Sequence, residues 1–188
     1  MALASVAFAI SAFSVAAIIS GINLKTVSKD KTRAKTLGVI VTLAGISIFL
    51  ASLLLIITTP YGTAYPAANV ELMFSLLILI FSFVWITFGM TLLYNWNMQF
   101  IGDMTMVLFV FNVIAMIALF SWNSGYAVYS LADFAIVEVT LFSYLLDEVG
   151  FFALTHGKMK ATVQSAFLVV SGVLSILLAV TASGIIPL

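Results

Sequence analysis

Six apolar segments, each long enough to cross a bilayer as a helix, follow one another through the 188 residues of the chain. A transmembrane helix needs about 20 mostly apolar residues, because lipid offers no hydrogen-bond partners to an open backbone. We therefore predict an all-α polytopic membrane protein, a bundle of six transmembrane helices in a single transmembrane domain (1–188). The predicted spans are about 2–24, 37–59, 71–95, 104–122, 131–153 and 162–186.

The apolar character extends to the whole composition. Hydrophobic residues make up 64% of the chain and charged residues 7%, whereas about a quarter of the residues in soluble domains are charged. The first apolar run has no basic residue before it, so we interpret it as a span and not as a signal peptide. We expect a multi-pass protein of the plasma membrane, with the lipid bilayer as its main partner.

Basic residues predict the orientation. Five of the seven Lys and Arg residues lie within 25–36, and the other two, Lys158 and Lys160, follow the fifth predicted span. If the spans alternate in direction, all seven lie on one side, which the positive-inside rule assigns to the cytoplasm. The prediction is N-out/C-out, with inner loops at 25–36, 95–103 and 154–161.

Several function classes are excluded by residues that the chain lacks. It has no cysteine, which excludes disulfides and cysteine-held metal clusters, and its one histidine, His156, excludes bis-histidine haem ligation. The predicted spans contain no Lys, Arg or His, so no serine-protease or phosphate-transfer site can be assembled within the membrane. The formal net charge is zero, so nucleic acid is not an expected partner. We expect no enzyme, no cofactor and no metal site.

The fifth span differs from the others because it carries four carboxylates within 131–152. Asp133, Thr140, Tyr144 and Asp147 recur at spacings of seven, four and three residues, which places them on one face of a helix. Glu148 borders this polar stripe. Because adjacent helical positions point about 100° apart, Asp147 and Glu148 are not expected to bind one metal ion together. Charged residues in a membrane interior usually mark a pathway or a buried polar contact.

Glu138 lies on another side of the same helix and has no intramembrane base to pair with. Burial should favour its neutral form, which can donate a hydrogen bond, for example to Asn112, to Gln164 or to a serine. A proton relay through Glu138 is the alternative reading. Asn112 falls near the middle of the fourth span and itself needs a polar partner.

Aromatic residues form a stripe on the third span, where Phe74, Phe81, Trp85 and Phe88 share one face. They could line a narrow path or pack against helices and lipid. Together with the polar stripe they define the candidate residues of a polar path through the membrane. These candidates are Trp85, Phe88, Asn112, Asp133, Glu138, Thr140, Tyr144 and Asp147.

Small residues recur every four positions on the first and sixth spans, a pattern that lets helices approach closely within one chain or between chains. The residues of these two small faces are Ala12, Ala16 and Ser20 on the first span and Ser171, Ser175 and Ala179 on the sixth. The faces suit a homo-oligomer or contacts with other membrane subunits.

The junction of the third and fourth spans, LLYNWNMQFIGDMTMVLFVFNVIAMIALF, resembles the bacterial and archaeal AmiS/UreI family of amide and urea channels. Asn95, Gly102 and Phe109 are the matching positions, and the six-span layout with a basic first inner loop is similar over most of the chain. The resemblance implies a helical bundle around a narrow path, with protomers assembled in a ring, and a small neutral solute such as urea or a short amide.

Three functions therefore remain open from the sequence. The first is a channel or transporter for a small uncharged polar solute. The second is a non-catalytic transmembrane subunit of a larger complex, of the respiratory oxidase or monooxygenase type, which would also lack redox ligands and carry small-residue faces. The third is a proton-coupled carrier that uses Glu138.

Overall fold

The computed structural model describes the backbone of residues 4–27, 29–58, 67–126 and 131–182, and the side chains of 6–27, 29–58, 69, 72–121 and 135–181. Within these ranges the prediction of an all-helical fold with six helices is confirmed. The helices are α1 (Ala4–Val27), α2 (Lys31–Thr58), α3 (Ala67–Tyr94), α4 (Met98–Tyr126), α5 (Leu131–Thr155) and α6 (Ala161–Ala182). Of the helices as described, α1 to α4 and α6 are long and apolar enough to cross a membrane.

α3 begins at Ala67, earlier than the predicted start near 71. α2 and α4 also begin earlier than the sequence predicts, because capping side chains extend them. Oδ1 of Asp30 accepts hydrogen bonds from the backbone N–H of Thr32 at 2.9 Å and of Arg33 at 3.1 Å, so α2 begins within the predicted basic loop. Oδ1 of Asn97 accepts from the N–H of Gln99 at 2.9 Å and begins α4 in the same way. Satisfying these otherwise unpaired N–H groups stabilises the first turn of each helix. Most of the predicted loop 25–36 is therefore helical.

The six helices form a closed ring. Each helix packs against the helices that precede and follow it in the chain, and α1 packs against α6. Successive helices are antiparallel, since short turns join α1 to α2, α3 to α4 and α5 to α6. These three turns lie at one end of the ring, which we call the basic end because the Lys and Arg residues of the chain lie at or near it. Those residues are Lys25, Lys29, Lys31, Arg33, Lys35, Lys158 and Lys160.

Glycine allows the closest helix contacts in the ring. A Cβ atom added to Gly38 on α2 would lie 2.8 Å from the carbonyl oxygen of Gly89 on α3, and one added to Gly21 on α1 would lie 2.9 Å from the carbonyl oxygen of Ser165 on α6. The Ser165 hydroxyl donates a hydrogen bond to the carbonyl oxygen of Gly21. Larger residues at these positions would force the backbones apart.

The small faces of α1 and α6 are buried inside this one chain. Ala16 and Ser20 are 0% exposed on α1, as are Ser171 and Ser175 on α6. Ala179 is also buried and Ala12 is partly buried. The outer surface of the ring instead carries large exposed apolar side chains suited to lipid contact. Examples are Phe8, Ile22, Leu43, Ile57, Ile117 and Phe142.

Candidate functional site

A cavity of about 40 Å³ lies inside the ring, between five of the six helices. Its volume is enough for roughly one to three water molecules. Most of the lining is apolar or aromatic, and two carboxyl groups of α5 reach it. The lining residues are Phe13, Phe81, Val84, Trp85, Phe88, Ile101, Thr105, Leu108, Tyr144, Asp147, Glu148, Phe151 and Leu168.

Three rings from three helices line the cavity on the side away from the basic end. We call Phe13 of α1, Phe81 of α3 and Tyr144 of α5 the aromatic triad. Their ring centroids lie 5.6 Å apart for Phe13 and Phe81, 4.8 Å for Phe13 and Tyr144, and 5.3 Å for Phe81 and Tyr144. All three contacts are edge-to-face, a favourable geometry for aromatic pairs. The triad therefore fills the interior of the ring at this level.

A second group of rings lines the cavity on the side nearer the basic end. Phe88 of α3 and Phe151 of α5, which we call the aromatic pair, have centroids 5.1 Å apart. Both helices run toward the basic end, and these residues come later in them than Phe81 and Tyr144. Trp85 joins the two levels, 5.4 Å from Phe13 and 5.9 Å from Phe88. Asp147 and Glu148 lie between triad and pair in the sequence of α5.

Glu148 is bound to α4. The Asn112 side-chain amide donates a hydrogen bond to Oε1 of Glu148, and the Thr105 hydroxyl donates to its backbone carbonyl oxygen at 3.1 Å. Glu148 is 3% exposed and Asn112 is 0% exposed. Oε2 of Glu148 and Oδ1 of Asn112 are buried and have no hydrogen-bond partner among the described groups. The pair thus combines one hydrogen bond with two acceptor oxygens that lack a described donor.

Asp147 is bound to α6, on the other side of α5. The Ser171 hydroxyl donates to Oδ2 of Asp147, and the Gln164 amide donates to the Asp147 backbone carbonyl at 3.1 Å and, at a longer 3.4 Å, to Oδ1. Asp147 is buried, and so are both of its donors. The two adjacent carboxyl groups therefore face different helices, as their 100° separation predicts, although both reach the cavity.

A further hydrogen bond joins the triad to α6. The Tyr144 hydroxyl lies 2.6 Å from Oγ of Ser175. Because the Ser175 hydroxyl donates to the carbonyl oxygen of Ser171 at 2.6 Å, Tyr144 is the donor to Ser175. The serine hydroxyls of α6 therefore form hydrogen bonds with α5, in addition to the close packing that these small side chains allow.

Every hydrogen bond described for the two carboxyl groups comes from a neutral donor. The ion pair of Arg33 with Asp30, at 3.4 Å, and the contact of His156 Nε2 with Asp103 Oδ1, at 3.5 Å, both lie near the basic end. No basic side chain is among the residues that line the cavity. The site is therefore acidic in composition and has no positively charged group to balance it.

Four of the predicted path residues line the cavity, namely Trp85, Phe88, Tyr144 and Asp147. Asn112 lies just behind the lining and reaches the site through Glu148. Thr140 and Glu138 are not among the lining residues. Thr140 is buried but donates to the carbonyl oxygen of Ile136 at 2.7 Å, and the side chain of Asp133 lies outside the described residues.

Glu138 is partly buried, outside the cavity lining, and its Oε1 has no partner among the described groups. The hydrogen bond expected from Glu138 to Asn112 or Gln164 is not formed, because those amides bind Glu148 and Asp147. Glu138 lies ten residues before Glu148 on α5, a distance of about 15 Å along the helix axis. It is therefore at the wrong level to reach Asn112.

Phe13, Thr105 and Glu148 line the cavity but were not predicted as path residues from the sequence. Phe13 lies among the small residues of α1, and its spacing does not distinguish it from an ordinary apolar residue of a membrane helix. Thr105 is one of many hydroxyls in an apolar helix. Glu148 could have been identified from the sequence, since it borders the polar stripe of α5 and the buried amide of Asn112 on α4 needed a partner.

The α3–α4 junction that carries the resemblance to amide and urea channels is a tight turn. Asn95 has a φ of 57°, a left-handed conformation that asparagine tolerates better than most residues. Gly102 faces α5, where an added Cβ atom would lie 3.3 Å from the Cα atom of Phe152. Phe109 is partly buried and is not among the cavity residues. No family model, curated protein or solved structure matches this chain.

Proposed function

We propose that the protein transports a small uncharged polar solute, of the size of urea or a short amide, across the membrane through the interior of the helix ring. The observation that carries the proposal is the cavity with two carboxyl groups, lined by the aromatic triad on one side and the aromatic pair on the other. Such a site offers a few hydrogen bonds inside an apolar passage, the combination that suits a neutral polar molecule.

The lining disfavours ions of either sign as free permeants. A hydrated ion would have to lose water against rings that return little of its hydration energy. An anion would in addition meet Asp147 and Glu148 without a basic side chain among the lining residues. A neutral amide has both donors and acceptors, and it can bond to carboxyl oxygens and to the Tyr144 hydroxyl.

Passage requires the aromatic side chains to move. The cavity volume of about 40 Å³ is small for a solute with four heavy atoms, and both aromatic groups are packed. The proposal is therefore a gated path, in which triad and pair open in turn, and not a permanently open pore. The resemblance to amide and urea channels adds support for the solute class and for a ring of protomers.

The test is solute uptake by proteoliposomes, followed by stopped-flow light scattering with urea, acetamide and glycerol. We expect uptake of urea or acetamide faster than in empty liposomes, and faster still with Phe88→Ala, which removes half of the aromatic pair. Phe111→Ala is the matched control, because Phe111 is 45% exposed on the outer surface of α4. Permeation at the rate of empty liposomes for all three solutes would overturn the proposal and favour a non-catalytic subunit.

A further inference from the structure

The contact between Asn112 and Glu148 is incomplete in a specific way. The Asn112 amide already donates to Oε1 of Glu148, yet Oδ1 of Asn112 and Oε2 of Glu148 are both buried acceptors without a donor. A carboxamide and a carboxylic acid that face each other can form two antiparallel hydrogen bonds, one from N–H and one from O–H. The second bond needs a proton on the acid. One proton on Oε2 would therefore satisfy both unpartnered oxygens.

The neighbouring acid differs in its carboxyl oxygens, although Oε1 of its amide partner Gln164 is also a buried acceptor without a described donor. Both carboxyl oxygens of Asp147 have donors, from Ser171 and, more weakly, from Gln164. The residues that line the cavity together with Glu148 supply no positive charge; they include Phe13 of α1, Trp85 and Phe88 of α3, Thr105 of α4 and Leu168 of α6. The titratable groups beside it are Asp147 and Tyr144 of its own helix. Of the two acids, Glu148 is the one with a carboxyl oxygen that lacks a described donor, and it is therefore the better candidate to hold a proton.

We propose that Glu148 holds a proton on Oε2, shared with Oδ1 of Asn112, and that it releases this proton when the cavity opens to water. This proposal rests on the proposed transport function and makes that transport proton-coupled. On opening, the proton passes from Oε2 to a water molecule in the cavity, and the carboxylate that remains keeps its bond from the Asn112 amide. Reprotonation from the other side of the membrane restores the closed, neutral pair.

The coupling follows from the cost of enclosing a charge. A carboxylate sealed between aromatic rings in a membrane has no counter-ion and little water, so closure favours the protonated form. The two aromatic groups can therefore close together only over a neutral Glu148. A metal cation fits less well, because the lining is mostly carbon and such an ion needs several oxygen ligands.

The proton can be detected without transport, by infrared difference spectroscopy of the reconstituted full-length protein while the external pH is changed. A protonated carboxyl group has a C=O stretching band that is separate from carboxylate and amide bands. We expect this band at neutral pH in the unaltered protein, its loss in Glu148→Gln, and its retention in Asp147→Asn and Glu138→Gln. Glutamine preserves the fold here, since its amide can pair with Asn112 as the acid does.

Three infrared outcomes would overturn the proposal. They are the absence of a protonated carboxyl band, a band lost in Asp147→Asn but kept in Glu148→Gln, and a band that responds to Na⁺ at constant pH, which would indicate a metal cation. In a second measurement, liposomes containing a pH-sensitive dye receive an inward gradient of urea or acetamide. We expect internal acidification that Glu148→Gln abolishes and Glu138→Gln leaves unchanged.

The two measurements separate the two proposals. Solute uptake without acidification would overturn proton coupling and leave the transport function intact. A protein that moves none of the solutes but keeps a Glu148 band would overturn the transport function, while the proton site would stand on the infrared result.

Discussion

The amide of Asn112 on α4 and the carboxyl group of Glu148 on α5, 36 residues apart in the sequence, are joined by a hydrogen bond in the interior of the helix ring. Removing one partner leaves a buried polar group unsatisfied, which costs about 1–3 kcal/mol. We therefore expect Asn112→Leu to lower the free energy of unfolding by about this amount, measured by denaturant titration in mixed micelles.

A double substitution tests whether that loss belongs to the pair. Replacing both partners, Asn112→Leu with Glu148→Leu, should cost less than the sum of the single changes, because no orphan polar group remains. Gln99→Leu is the control, since Gln99 is exposed near the start of α4. Additive losses in the double variant would contradict a direct interaction.

The hydrogen bond from Tyr144 to Ser175 should contribute to the α5–α6 contact. Tyr144→Phe removes the donor but keeps the ring that packs 4.8 Å from Phe13. Hydrogen bonds between membrane helices average about 0.6 kcal/mol in double-mutant cycles, so we expect a coupling of that order between Tyr144→Phe and Ser175→Ala. Unfolding titrations of the four proteins in the cycle measure it, and a coupling of zero would refute the contribution.

The small face of α1 should be intolerant of bulk. Ala16 is 0% exposed, so Ala16→Leu has to displace a neighbouring helix, and overpacking of this kind typically costs about 1–3 kcal/mol. Ser11→Leu, on the exposed side of the same helix, is the matched control. Thermal unfolding in detergent should show a lower midpoint for Ala16→Leu only. Equal midpoints for the two variants would argue against a packed α1 interface.

The orientation can be tested because the chain has no cysteine of its own. Lys31→Cys and Lys158→Cys should react with a membrane-impermeant thiol reagent from the cytoplasmic side, and Ala64→Cys should react from the opposite side. The reason is the positive-inside rule applied to the basic end. Labelling of positions 31 and 64 from the same side would rule out the predicted topology.

The helices were predictable because a long apolar run has few alternatives in lipid. The ends of the helices were harder to predict. The start of α2 depends on Asp30, an acidic residue within a basic segment, and the capping role of Asp30 was not recognised. The face of α5 that carries Tyr144 and Asp147 follows from helical periodicity alone. Both residues line the cavity.

The partner of Asn112 could not be chosen from the sequence. Periodicity describes one helix at a time, whereas the choice between Glu138 and Glu148 depends on how far α4 and α5 are displaced along each other. That displacement is determined by packing, for example where Gly102 admits Thr155 and Phe152. For the same reason, nothing in the spacing of α1 indicated that Phe13 would meet rings from α3 and α5.

The contact that closes the ring also determines when the ring can close during synthesis. The hydrogen bond from Ser165 to Gly21 joins residues 144 positions apart. At translation rates of about 5–20 residues per second, α1 therefore waits roughly 7–30 s for α6 to be made. During that interval its small face is open to lipid or to an insertion factor. The ring and the lining of its cavity, to which Leu168 of α6 belongs, are therefore complete only after the last helix has been inserted.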